Sequence, residues 1–249
     1  MHRLLVDTVE LGKERPELPP DAVKHLRVLR PKPGEKIELF DGHGSWRVYE
    51  VDGEDVHLPP AASHLSPPSF LPAPRPLTLF ACVTKGSRWD WTIEKATELG
   101  VTRIVPVLSG RTIVRIPSGE REAKRERWLR IVKDAARQSD AKWLPEVLSP
   151  VDFKAALPLV KETVCFIGAL TNPPSPSFAS ALLDLPSSLS ALSSPLAVFI
   201  GPEGDFAPEE LAALMEIATP VSFGDSILRA ETAAIFAVSV LKAAYSMRP

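Results

Sequence analysis

Leu196-Ala197-Val198-Phe199-Ile200-Gly201-Pro202-Glu203-Gly204-Asp205-Phe206 carries two signals in immediate succession. The first five residues are an apolar run with β-branched and aromatic members, which predicts a strand buried on both faces. The run stops at Gly201-Pro202-Glu203-Gly204, a tight turn in which glycine lets the backbone approach a ligand. Pro208-Glu209-Glu210 then opens a helix, with proline at its first position and acids at the positive end of its dipole. A second strand is predicted at Val221-Ser222-Phe223, ending at Gly224-Asp225. Ile227-Leu228-Arg229-Ala230-Glu231-Thr232 follows and runs into a small-residue helix with Ala233, Ala234 and Ala237. Either turn alone reads as an ordinary connection. Two of them, each with an acid or arginine beside the glycine, match the carboxyl edge at which open α/β sheets bind ligands.

The same alternation extends upstream. Leu77 to Val83 and Arg103 to Val107 read as buried strands. Between them a helix carries Trp89, Ile93, Ala96 and Leu99, with Gly100 at its C-cap. A long helix is predicted from Ser118 to about Ser139, and a further strand from Thr163 to Leu170. Residues 171–195 form a Ser/Pro-rich insertion. Strands alternating with helices predict an α/β fold on a parallel sheet. The first 58 residues differ. A short helix at Asp21 to Leu29 precedes a hairpin, Lys36–Phe40 and Trp46–Val51, joined through Asp41-Gly42-His43-Gly44, and then a strand at Asp55 to Leu58. Short, closely spaced strands predict a small β-barrel. Residues 59–76 are proline-rich and read as a semi-rigid linker, which divides the chain into 1–58, 59–76 and 77–249.

Composition narrows the function classes. The chain has 249 residues, and a net charge of −2 rules out a general polycation, so a nucleic-acid surface must be local. No apolar stretch reaches the roughly 18 residues of a membrane span, and the N-terminus lacks a signal-peptide core. A cytoplasmic protein without membrane partners is expected. Two cysteines, Cys82 and Cys165, fall inside apolar runs and are expected to be reduced core residues. The histidines show no metal-ligand spacing, and neither a Walker loop nor GxGxxG occurs. Lys24, Arg27, Arg30, Lys32 and Lys36 form a patch opposed by Asp21 and Glu35, suited to phosphate contact or to plain solvation. The basic helix from Ser118 to Lys142 reads first as a solvated face with i,i+4 pairs. Arg229 and Glu231 are compatible with a site or with an ion pair bracing a helix start.

Lys85-Gly86, Glu94-Lys95-Ala96-Thr97-Glu98-Leu99-Gly100-Val101, Gln138-Ser139, Gly201-Pro202-Glu203-Gly204 and Ile227-Leu228-Arg229-Ala230-Glu231-Thr232-Ala233 occur in that order. Together they resemble the bacterial 16S rRNA (uracil-N3)-methyltransferases of the SPOUT superfamily, over nearly the whole chain. The resemblance implies a parallel-sheet domain with a trefoil knot, an exception to unknotted folds, and a small PUA-like N-terminal barrel. It implies a homodimer that transfers a methyl group from S-adenosylmethionine to a uridine of the small ribosomal subunit, with no metal. Carried onto this chain, Leu170, Gly201, Glu203, Gly204, Phe223, Gly224, Ile227 and Leu228 would line the cofactor. Arg229, Glu231 and Glu203 are the catalytic candidates. Lys24, Arg27, Arg30, Lys85, Arg111, Gln138 and Lys142 are the RNA-binding ones.

The chain departs from the family pattern at two places. Arg137 and Ala141 flank Gln138-Ser139 where the family has an acid and an arginine, with Lys142 as a substitute cation, and Ser226 replaces a basic residue. Those departures favour one competing function, an RNA-binding assembly factor with weakened catalysis. A sister enzyme methylating a ribose 2′-oxygen is the other, disfavoured because such enzymes carry Ser-Leu-Asn in place of the Ile-Leu-Arg run.

Overall fold

A computed structural model describes the chain apart from residues 58, 60–66, 162, 170, 172–173, 185–193 and 247–249. Parts of the proline-rich segment and of the 171–195 insertion therefore lie outside the described residues. The backbone divides into two compact units, Met1–Pro74 with Lys133–Leu144, and Arg75–Val132 with Pro145–Pro249. This division differs from the one drawn on composition, because a stretch distant in sequence joins the N-terminal unit.

The first unit holds β1 (His2–Leu5), α1 (Pro20–Leu29), β2 (Lys36–Phe40), β3 (Ser45–Asp52), β4 (Asp55–His57) and β5 (Ser69–Phe70). The hairpin of β2 and β3 forms as expected, and β4 and β5 both pair with β3. β1 was not foreseen. It pairs in parallel with β2, a contact across more than thirty residues that a four-residue strand cannot announce. Leu4, Leu26, Ile37, Leu39, Tyr49 and Val56 fill the interior. Gly44 has φ +94°, and a Cβ there would lie 2.4 Å from the Leu71 carbonyl oxygen. The turn thus admits only glycine.

The second unit contains β6 (Leu77–Cys82), α2 (Ser87–Glu98), β7 (Arg103–Leu108), the start of α3 (Arg121–Ser139), β8 (Glu146–Val147), β9 (Val151–Asp152), α4 (Phe153–Ala156), β10 (Val164–Gly168), α5 (Phe178–Leu183), β11 (Leu196–Ile200), α6 (Pro208–Met215), β12 (Thr219–Val221) and α7 (Ala230–Ser246). Its strands pair in parallel in the order β12-β10-β11-β6-β7-β8, with β9 also beside β7. All five residues of β11 are buried, as an uninterrupted apolar run between two partners requires. Phe199 faces Phe80 of β6 in register, and the two rings stack at 4.3 Å.

β12 lies two residues earlier than predicted. Thr219, Pro220 and Val221 pair with β10, and an edge position tolerates the proline. Phe223 is thereby released from the ladder. The 171–195 insertion is the crossover from β10 to β11. Its helix α5 is capped by the Ser177 hydroxyl, which accepts from the Ser180 N–H at 3.1 Å. Buried Phe178 packs between Phe166 and Phe223, at 5.0 and 5.7 Å between ring centroids.

Lys133–Leu144 brings the end of α3 into the first unit, where buried Arg3 serves it. Its guanidinium donates to Glu38 Oε1 at 2.7 Å and to the carbonyls of Ala136 and Ala141 at 2.6 and 3.0 Å. A cation at orphaned carbonyls is favourable at a helix C-terminus. Lys142 completes the cluster with contacts to Glu38 and Asp140.

Candidate active site

The carboxyl ends of β10, β11 and β12 open onto a cavity of about 280 Å³, lined by Gly168, Ala169, Ile200 to Glu203, Asp205, Val221 to Gly224, Ser226 to Ala230 and Ala233. Volumes near this are typical of small-molecule sites. The turn after β11 is closed by the Asp205 N–H donating to the Pro202 carbonyl at 2.9 Å. Asp205 takes φ +60°, and its Oδ1 accepts from the Phe206 N–H at 2.7 Å. A Cβ on Gly201 would meet Asp205 Oδ1 and the Phe206 ring, each at 3.3 Å. Gly201 is therefore required first by the turn itself. At Gly168 the demand is sharper, since a Cβ would lie 2.4 Å from the Phe223 ring. That ring covers the end of β10 only because residue 168 has no side chain. Gly224, at φ +115° with nothing within 4 Å of a built Cβ, leaves its backbone open to the cavity.

Three charged residues among those described belong to the lining, Glu203, Asp205 and Arg229. Glu203 pairs with Arg88 Nη1 at 3.0 Å. Arg111 donates to the Gly204 carbonyl at 2.9 Å. Buried Glu210 accepts from the Gly110 and Ala207 N–H groups at 2.8 and 3.0 Å, tying the β7–α3 connection to the start of α6. Arg229 is exposed, and its side chain has no hydrogen bond or ion pair among the described residues. The ion pair with Glu231 entertained from sequence is absent among them. Glu231 is buried in the first turn of α7, outside the lining, and its Oε2 has no hydrogen-bond partner among the described residues.

The fold thus brings Gly201, Glu203, Phe223, Gly224, Ile227, Leu228 and Arg229 to one cavity. Gly204 stands apart, spending its carbonyl on Arg111, and Leu170 lies outside the described residues. Lys24, Arg30, Lys85, Arg111 and Gln138 are exposed. Arg27 is exposed but engaged, its fork gripping both Glu54 oxygens at 2.6 and 2.7 Å. Lys142 is a correction. Its side chain is only 10% exposed, it pairs with Glu38 and Asp140, and it lies 4.8 Å from the Trp46 ring. Such a lysine braces the first unit and is not offered to RNA. Sequence reasoning also missed Gly168 and Asp205. A strand-terminal glycine after an apolar run was the available signal for the first. Arg88 gave none, because its partner is more than a hundred residues away.

A parallel α/β sheet with a cavity at its carboxyl edge serves many chemistries, and sequence kinship decides among them. Residues 71–242 match the RNA methyltransferase domain family, and residues 18–58 match the RNA methyltransferase PUA domain family. The class is therefore an RNA methyltransferase with a PUA domain. Over 223 residues the chain is 34% identical to ribosomal RNA small subunit methyltransferase E of Synechocystis, covering 87% of this chain and 69% of that protein. Ribosomal RNA small subunit methyltransferase E of Neisseria gonorrhoeae, solved with S-adenosylmethionine bound, superposes with a TM-score of 0.79 at 29% identity, covering 98% of this chain and 97% of that one. A Legionella pneumophila protein described as a methyltransferase, solved with the same cofactor, gives a TM-score of 0.81 at 28% identity over 98% and 96% of the two chains. The chain belongs to the ribosomal RNA small subunit methyltransferase E family.

Proposed function

We propose that this enzyme transfers the methyl group of S-adenosylmethionine to N3 of a uridine in 16S rRNA. The observation that carries the reading is an arginine, Arg229, with no partner among the described residues, in the lining of a cavity built from glycine turns at the ends of parallel strands. The cavity suits the cofactor. Ile200, Ile227, Leu228 and Phe223 offer apolar surface to a purine, Gly201 and Gly224 offer backbone, and Glu203 and Asp205 offer acceptors to an ammonium group. When bound, S-adenosylmethionine supplies an electrophilic methyl group and its own leaving group.

The remaining work falls to the protein. As the N3–methyl bond forms and the sulfur–methyl bond breaks, N3 loses its proton and negative charge spreads to the flanking carbonyl oxygens. The Arg229 guanidinium supplies fixed donors for that charge. The N3 proton leaves to solvent, since Glu203, in the lining and paired with Arg88, serves the cofactor. Glu231 supports Arg229 indirectly, as an acid in the first turn of the helix that Arg229 precedes.

The family pattern adds the wider arrangement. On this reading the molecule works as a cytoplasmic homodimer with a SPOUT-type knot, and the PUA unit reads RNA through Lys24 and Arg30. Small subunits that lack the modification, incubated with the enzyme and methyl-labelled S-adenosylmethionine, are expected to gain label in 16S rRNA. Label that stays in the cofactor would refute the proposal.

A further inference from the structure

Glu203 occupies the exposed tip of the turn from Pro202 to Asp205, and nothing within that turn fixes its carboxylate. Two arginines from separate parts of the chain reach the tip. Arg88, second in α2, places Nη1 3.0 Å from Glu203 Oε1, with side-chain exposures of 39% and 28%. Arg111, after β7, donates to the carbonyl of the next residue, Gly204, at 2.9 Å. Gly86, at φ +67°, turns the chain into α2 immediately before Arg88. The two cations hold successive residues of one turn, one through its side chain and one through its backbone.

We propose that Arg88 is a positioning residue for the cofactor site, presetting the Glu203 carboxylate at the cavity with one oxygen held and the other offered to a hydrogen-bond donor of the cofactor. Arg111 serves the same turn by fixing its backbone. A glutamate left free would have to be ordered on binding, and immobilising one such side chain corresponds to about 2- to 10-fold in affinity.

This inference rests on the S-adenosylmethionine reading above. Calorimetric titration of the full chain with S-adenosylmethionine tests both, using wild type, Arg88→Gln, Arg88→Lys, Glu203→Ala and the Arg88→Gln/Glu203→Ala double variant. Arg88→Gln should weaken binding about 5- to 10-fold and Arg88→Lys should recover most of it. In the Glu203→Ala background, Arg88→Gln should cost nothing further, because the two residues act as one unit. The melting temperature should hold, since a half-exposed pair contributes little stability. Unchanged affinity in Arg88→Gln, or additive losses in the double variant, would overturn the positioning role. A wild type that binds no S-adenosylmethionine would instead overturn the cofactor reading, so the two failures are distinct.

Discussion

The Arg229 side chain has no hydrogen bond or ion pair among the described residues, so its substitution separates chemistry from packing. Arg229→Lys keeps the charge and loses the planar fork. Single-turnover methylation should fall on the order of 100-fold, by analogy with the loss of an oxyanion donor. Cofactor affinity and melting temperature should stay put, and a rate within a few-fold of wild type would remove the catalytic role. Cys82 and Cys165 make the opposite case, as residues with chemistry suppressed. Both are buried, and burial pushes each thiol up to about 12. An unfolded thiol titrates near about 8.5, so the folded state binds the protons more tightly across the interval. Their stabilising contribution is complete below about pH 8.5 and is lost as pH rises toward 12. Urea midpoints should therefore fall between about pH 8 and about pH 10, and native protein should resist alkylation at neutral pH. Gly201 and Gly224 were legible as cavity residues because a glycine turn after an apolar run is a local signal. Arg88 and Lys142 were not, because an ion pair is written at two distant places and a basic run looks alike whether its members face water or Glu38.

At the scale of elements, the long apolar strands and the helices with a proline start or a glycine end stood out in the sequence. β1, β5, β8 and β9 did not, being too short to display a period and dependent on distant partners. The Ser/Pro-rich crossover was legible only as composition. Its helix α5 places Phe178 against Phe223, and through that ring it supports the roof of the cavity. Phe178→Ala should cost about 3–5 kcal/mol, as for a large buried aromatic, measured by chemical denaturation. Gly168→Ala tests the roof itself. A methyl group 2.4 Å from the Phe223 ring forces that ring to move. Cofactor affinity should drop by about 10-fold or more with the far-ultraviolet dichroism unchanged. Retention of full affinity would show that the ring has no part in binding. In the first unit, Arg3→Met would leave Glu38 buried with only Lys142 and strip the cap from two carbonyls. A loss of about 3–5 kcal/mol is expected from breaking such a pair.

For the whole molecule, a net charge of −2 says nothing of the local basic patch, because acids elsewhere cancel the exposed Lys24 and Arg30 in any sum. Lys24→Glu with Arg30→Glu should weaken rRNA binding and flatten its salt dependence by about two ions, while cofactor affinity stays level. Charge reversal is a cleaner probe than deleting residues 1–58, since deletion removes Arg3 and Glu38 from beneath Lys133–Leu144. The family was legible because five motifs keep their order along the chain, two of them at the cavity; a chain's threading, its assembly and a target nucleotide would leave no period or spacing to read. The central claim is that this cavity directs a methyl group to uracil N3. Mass spectrometry of nucleosides from 16S rRNA, taken from unmodified small subunits treated with the enzyme and S-adenosylmethionine, measures that directly. The account predicts 3-methyluridine, lost in Arg229→Lys at matched times. A methyl group on the ribose 2′-oxygen, or rRNA bound tightly and left unmethylated, would contradict it.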